Sequence, residues 1–230
     1  MRRIGRRAVL TTIAAAITAP AFGHSTGELA DLLGDKERFF QALDKETPDF
    51  TLSDADGKLY SPADFHGKVV VLHFVYASCP DFCPLHAEKL AEVQEMVNQT
   101  LMKDLVQFVS ITSDPANDTP EVMRAYGPAH GIDPVNWVFL TAAPGQQEDA
   151  TRKLVEAFGH KFTVTDYGFQ VHGVVTHMID KSGRRRANFY GLRFDPTNMV
   201  LFINALTNDS AKPHGRSDPT MWERVKGLFN

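Results

Sequence analysis

The chain has 230 residues, with 24 basic and 28 acidic side chains and a net charge of −4. That length supports one substantial domain held by burial, since two cysteines cannot staple a fold of this size. Without the four arginines of the first segment (Arg2, Arg3, Arg6, Arg7), 20 basic residues face 28 acidic ones, a balance that argues against nucleic acid or an anionic membrane as partner.

The first 23 residues read as an export signal. Arg6-Arg7-Ala8-Val9-Leu10-Thr11 is a twin-arginine-like start, and Ala19-Pro20-Ala21 offers a small-x-small cleavage site, with Ala21-Phe22-Gly23 as a weaker one. The apolar run from Ala8 to Ala21 is shorter than the roughly 20 residues a membrane span needs. The expectation is a periplasmic protein, held at the membrane if the signal stays uncleaved. Outside the cytosol, thiols tend to be oxidised.

Residues 24–45 read as a linker with a short helix around Leu32 to Leu43, and residues 46–207 as one domain. Pro48 to Ser53 reads as a first strand, Asp54 to Lys58 as a turn, and Ser61 to Gly67 as a capped helical turn. Val69 to Val75 is an apolar run, with His73 within it, that reads as a buried strand. Tyr76 to His86 follows and carries both cysteines, Cys79 and Cys83. Leu90, Val93, Val97 and Leu101 then recur at helical spacing, and Pro84, tolerated in a first turn, sets the start of a helix running to about Lys103. Two thiols therefore sit where a strand hands over to a helix, and the helix's N-terminal amides are expected to lower a thiol pKa below its free value of about 8.5.

Further on, Leu105 to Ile111 reads as a strand, and Thr119 and Pro120 cap and start a helix that ends near His130. Trp137 to Thr141 is a strand, Gln146 to Phe158 a helix, Gly173 to Asp180 and Arg184 to Tyr190 a hairpin, and Pro196 to Leu206 a helix. Residues 208–230 form a tail whose last part, from Pro219, carries Met221, Trp222, Val225 and Leu228 on one helical face. Strands alternating with helices, then a closing hairpin, give an α/β fold with parallel central strands.

A strand, a two-cysteine loop, a helix and a later antiparallel hairpin make the thioredoxin-like arrangement: a three-layer sandwich with a central mixed sheet. Cys79-Pro80-Asp81-Phe82-Cys83-Pro84 resembles the SCO/SenC family of copper chaperones. Pro48-Asp49-Phe50-Thr51-Leu52, Gly67-Lys68-Val69-Val70-Val71, Asp114-Pro115-Ala116-Asn117-Asp118-Thr119-Pro120 and Val171-His172-Gly173-Val174 match further motifs in the same order. The resemblance implies that Cys79, Cys83 and His172 bind copper, as Cu(I) or Cu(II), for a cytochrome c oxidase subunit, most naturally its CuA centre, or for another copper protein. Outside the cytosol the dithiol must be kept reduced by a partner, a thiol–disulfide reductant, or be protected by a metal, or stand as a disulfide; no small-molecule substrate is expected.

The residues support the same site independently. In thioredoxin-like folds the loop entering the hairpin faces the cysteines and usually holds a proline; here that slot reads Val171-His172-Gly173. Two thiolates and an imidazole suit a soft ion such as Cu(I), whereas zinc would want a fourth ligand. The plain alternatives are a structural disulfide for Cys79 and Cys83 and a hydrogen-bonded loop histidine for His172. The chain reads first as a metallochaperone. The enzyme alternative is an extracytoplasmic thiol–disulfide oxidoreductase with Cys79 and Cys83 as redox groups, keeping a partner's copper-ligand cysteines reduced. A peroxidase has Ser78 adjacent but no arginine near the cysteines.

The other candidates are weaker. His86 follows Cys83 by three and shares its helix face, and His24 becomes a copper-binding N-terminus if cleavage falls after Gly23. His177 reads as a packed or surface residue, His73 as a core group, and His130, His160 and His214 as ordinary surface residues. Asp114 and Asp118 read as loop caps, as carboxylates near the site, or as a docking surface. Met178 and Met199 read as core fillers, and Arg184-Arg185-Arg186 as a solvated edge that can dock an acidic partner.

Overall fold

A computed structural model describes residues 26–79, 82–147, 149–161, 163–164, 170–171 and 173–209. The expected export signal, His24, His172, His214 and the tail helix from Pro219 lie outside the described residues.

The chain begins with helix α1 (Thr26–Lys36), followed by strands β1 (Phe40–Glu46), β2 (Leu52–Ser53), β3 (Leu59–Tyr60) and β4 (Val69–Val75). Helix α2 (Phe82–Asn98), strand β5 (Val106–Thr112), helix α3 (Pro120–Ala129), strand β6 (Trp137–Ala142) and helix α4 (Ala150–Ala157) come next. The short strands β7 (Thr163–Val164) and β8 (Gln170–Val171) precede the hairpin β9 (Val175–Ile179) and β10 (Arg184–Tyr190), and α5 (Pro196–Asn208) ends the described fold. The main sheet has eight strands in the order β1-β10-β9-β4-β5-β6-β2-β3. Strands β4, β5 and β6 are parallel, and the remaining pairs are antiparallel. The sheet is therefore mixed, with helices on both faces, as a thioredoxin-like sandwich requires.

Strand β4 is buried along its whole length, because its two faces serve two cores. Val69 and Val71 pack with α1, α2 and α5 through Leu33, Leu90, Val93 and Phe202. Val70, Leu72 and Phe74 pack on the opposite face with Leu154, Val155 and Phe158 of α4 and its end. Each such side chain contributes roughly 1.5–3 kcal/mol by leaving water. A third cluster gathers Val75, Cys79, Cys83, Ala87, Met123, Tyr126 and Phe139, joining the cysteine segment to α3 and β6.

Several expected boundaries move. The helix expected over Leu32 to Leu43 ends at Lys36, and Leu43 lies in strand β1. The buried Glu37 carboxylate stops the helix: it accepts from the backbone amides of Phe39 (3.2 Å) and Asp195 (2.9 Å) and from Asn198 Nδ2 (3.0 Å). Phe40 then pairs with Phe189 across the strands and packs edge-on against Phe189 and Phe202, both at 5.2 Å, so tertiary packing overrides helical spacing. Of the strand expected over Pro48 to Ser53, Leu52 and Ser53 alone pair. Helix α2 ends at Asn98 and not near Lys103, because Thr100 caps a separate 3-10 turn over Leu101–Leu105. Helix α4 starts at Ala150 and not at Gln146, whose side chain instead accepts from Ala143 N (2.9 Å) and donates to Thr51 O (2.9 Å).

The three arginines of β10 are not one solvated edge. Arg184 pairs with Asp44 at 2.7 Å and Arg186 with Asp180 at 3.2 Å. Arg185 is buried, donates to Phe158 O at 3.0 Å and lies over the Phe158 ring. It thus caps the C-terminal end of α4, where unpaired carbonyls favour a cation. Met178 and Met199 are fully buried, as expected of core fillers.

Candidate metal centre

Both cysteines lie at the C-terminal end of β4, where the chain turns into α2. The turn is held from below by Asp118. Its carboxylate accepts from Ala77 N (3.1 Å) and from the Thr112 hydroxyl, and Thr112 Oγ1 accepts from Asp114 N (2.8 Å). Ser113 N donates to Val75 O (2.8 Å) and Cys79 N to Tyr76 O (3.1 Å). The Asp114–Pro120 loop is therefore a clamp on the strand end. Asp118 is 2% exposed, and burial, foremost, raises its pKa against the lowering effect of the Thr112 and Ala77 hydrogen bonds. Asp114 keeps the loop closed by accepting from Asn117 Nδ2 at 2.8 Å.

Cys83 sits in the first turn of α2, and its amide donates to Cys79 Sγ at 3.4 Å. A helix N-terminal N–H aimed at that sulfur stabilises negative charge on it. The Cys83 carbonyl accepts from Tyr126 Oη of α3 at 3.1 Å, so a second helix fixes the first turn of α2. Both cysteines are unbridged, and each is 8% exposed. The expectation that the helix end lowers a thiol pKa does not hold at Cys83. Burial pushes that thiol far up; the backbone at Tyr76 offsets it in part, and the charges of Cys79 and Asp118 add to the rise. Burial likewise raises the Tyr126 phenol, with the Cys83 charge next in weight. An amphipathic stripe in α3 marks Tyr126 as core; only the fold shows that its hydroxyl reaches the cysteine turn.

The histidines divide. His86 is buried and its Nε2 meets Thr176 Oγ1 at 2.8 Å; its ring packs on His73 at 5.0 Å. It is directed at the sheet. His73 meets Ser110 Oγ at 3.2 Å, a core group as expected. His177 is buried in β9 and bonded on both ring nitrogens, to Asn188 Oδ1 (2.7 Å) and His160 Nε2 (2.8 Å). His160, expected at the surface, is 8% exposed and packed on Phe74, because the turn after α4 folds back onto the sheet. Among the described residues no three His, Cys, Asp or Glu side chains converge as a metal-binding group. They supply the sulfur pair, a soft donor set. Strand register bears on the third expected ligand: β4 and β9 are antiparallel with His73 opposite Thr176. The start of β9 therefore lies at the same sheet end as the cysteine turn.

A family model described as SCO1/SenC matches residues 40–207. The chain belongs to the SCO1/SenC family. An SCO2-like protein of Rickettsia prowazekii is 31% identical over 143 residues, covering 61% of this chain and 67% of the relative. The crystal structure of an SCO1/SenC family lipoprotein from Bacillus anthracis is similar at 26% identity and a TM-score of 0.65, over 72% of this chain and 97% of that one. Bradyrhizobium japonicum ScoI, solved with copper bound, is similar at 25% identity and a TM-score of 0.58, over 70% of this chain and 99% of that one. The structure of BsSco, a member of the Sco family of cytochrome c oxidase assembly proteins, is similar in fold at 19% identity and a TM-score of 0.62, over 73% of this chain and 96% of that one. Among the described residues of this SCO1/SenC chain, no helix is long and apolar enough to cross a membrane.

Proposed function

We propose that this protein is an extracytoplasmic copper chaperone that takes copper as cargo on Cys79, Cys83 and His172. It passes the ion by ligand exchange to a cytochrome c oxidase subunit, at the CuA centre. The observation that carries this reading is the unbridged cysteine pair at the β4–α2 junction of an SCO1/SenC chain, clamped by Asp118 and Tyr126. Two sulfurs favour Cu(I), and an imidazole accepts either copper state. His172 directly precedes Gly173 at the entry to β9, and the register of β9 on β4 supports its role as third ligand. The Asp118 and Tyr126 hydrogen bonds hold the strand end and the first turn of α2, the two elements that carry the cysteines. The test is copper titration of the reduced protein. One equivalent is expected, lost in Cys79→Ser and in Cys83→Ser and weakened in His172→Ala. Full retention in either cysteine variant overturns the reading.

The amide contact on Cys79 Sγ favours one second reading, thiol–disulfide exchange. The Cys79 thiolate attacks a partner disulfide, releasing one partner thiolate. The Cys83 thiol then loses its proton and displaces the second, leaving a Cys79–Cys83 disulfide and a reduced partner. Turnover on an oxidised CuA domain with His172→Ala, which lacks the copper imidazole but keeps both thiols, separates the two activities.

A further inference from the structure

The first turns of α2 expose two large apolar side chains beside the cysteine pair. Phe82 is 59% and Leu85 52% exposed, while Cys83 between them is 8% exposed. The helix buries Cys83, Ala87, Leu90, Val93 and Val97 toward the sheet and so turns Phe82 and Leu85 outward. Among the described residues, neither belongs to one of the three apolar clusters that hold the fold. The outward side of a helix in a soluble protein is ordinarily polar, so these two residues serve something other than the core.

The same outward side turns acidic further along. Helix α2 carries Glu88, Glu92 and Glu95 against a single lysine, Lys89, and all three glutamates are exposed. At about 100° per residue, Leu85, Glu88, Glu92 and Glu95 fall on one side of the helix, with Phe82 at its tip. Lys89 offsets little of this charge. Its ammonium is bonded to Glu92 at 3.2 Å and lies 5.8 Å from the centre of the Phe194 ring. Glu88 has His130 Nδ1 at 3.8 Å. The surface is thus an apolar tip next to the sulfurs, followed by a row of carboxylates.

We propose that this side of α2 docks the copper-receiving domain of the oxidase subunit, which meets Phe82 and Leu85 with apolar side chains and Glu88, Glu92 and Glu95 with lysines or arginines. This rests on the copper reading above. Ligand exchange decides what must cover the patch. Cys79 and Cys83 are buried, so an acceptor sulfur reaches their ion only when the acceptor's surface lies against the residues around them. Phe82 and Leu85 are the exposed large apolar side chains that adjoin Cys83. As the acceptor's thiolates bind the ion, Cys79 and Cys83 release it and take up the protons that the acceptor's thiols give off; the charge of the ion does not change. Burial of the two apolar side chains holds the encounter together, and the carboxylate row orients it.

The experiment follows copper leaving the Cu(I)-loaded full chain for two acceptors, a soluble CuA domain and a small Cu(I) chelator that needs no docking surface. Phe82→Gln combined with Leu85→Gln removes the apolar tip and keeps good helix formers. Copper stoichiometry and loss to the chelator are expected to be unchanged, and transfer to the domain to slow roughly tenfold. Glu88→Lys combined with Glu92→Lys is expected to slow transfer to the domain at low salt and to remove the decline that added salt causes in the wild type. Unslowed transfer from the glutamine variant, equal slowing toward both acceptors, or a wild-type rate indifferent to salt overturns the inference and leaves the copper reading standing. A loaded wild-type chain that gives no copper to the domain overturns the docking and the delivery step but not the copper site. A wild-type chain that takes up no copper overturns both readings.

Discussion

Gly127 of α3 stands against the six-membered ring of Trp137, and this contact sets how close α3 lies to β6. A Cβ built on Gly127 would fall 2.5 Å from Trp137 Cζ3, 2.7 Å from Cη2 and 3.0 Å from Cε3. Real carbon contacts do not close to such distances, so Gly127→Ala must move the helix or the indole. The indole is not free to turn, because Nε1 donates to Ser110 Oγ at 2.9 Å, and Ser110 in turn meets His73. Overpacking of this kind costs about 1–3 kcal/mol, while alanine returns at most about 1 kcal/mol of helix propensity. The net expectation is a loss of about 1–2 kcal/mol, or roughly 2–8 °C in Tm for a domain of this size. Urea and thermal unfolding measure it, and Trp137→Phe supplies the check, since phenylalanine lacks the atoms that clash. Trp137→Phe alone is destabilising through its lost volume and lost N–H. In that background Gly127→Ala should cost nothing or stabilise by up to about 1 kcal/mol. Equal costs of Gly127→Ala in both backgrounds would refute the steric argument.

Other consequences can be read from the same contacts. Tyr126→Phe removes the bond to the Cys83 carbonyl and is expected to cost about 1 kcal/mol in urea unfolding, with faster alkylation of Cys83 as the first turn of α2 loosens. An unchanged alkylation rate would show that Tyr126 does not hold the turn. Asp118→Ala orphans the Ala77 amide and the Thr112 hydroxyl, at about 1–3 kcal/mol for each buried group left unmade, and hydrogen exchange at Ala77 should accelerate. A slow Ala77 amide in that variant would place the clamp elsewhere. His177, buried and held below the ordinary imidazole pKa of 6.5, makes stability pH-dependent. Above 6.5 the group is neutral folded and unfolded, and its contribution is complete. As pH falls below 6.5 the unfolded chain binds a proton the fold refuses, and stability drops by up to about 1.4 kcal/mol per pH unit. Urea midpoints between pH 7.5 and 5 should show the fall, shallower in His177→Gln; identical slopes would exclude His177 as its source.

Much of this molecule is legible in local signals. The apolar run Val69–Val75, broken only by His73, reads as a strand buried on both faces, and it is one. Thr119 with Pro120 starts α3 because one residue supplies the cap and the next a preset φ; Asp195 with Pro196 starts α5 in the same way. The cysteine spacing and its place after a strand single out Cys79 and Cys83 without coordinates. What stayed hidden depends on partners far along the chain. Phe40 is a strand residue because Phe189 and Phe202 meet it, and Arg185 is buried because the last carbonyls of α4 arrive above it. His160 reads as surface until β9 brings His177 to it. The Cys83 thiol is pushed up by burial against residues of α3 and β6, which the sequence beside the cysteine does not show. Periodicity and caps act within a few residues and so can be read in one dimension. Desolvation and long-range hydrogen bonds exist only once the chain has folded, and in this protein they set the chemistry of the site.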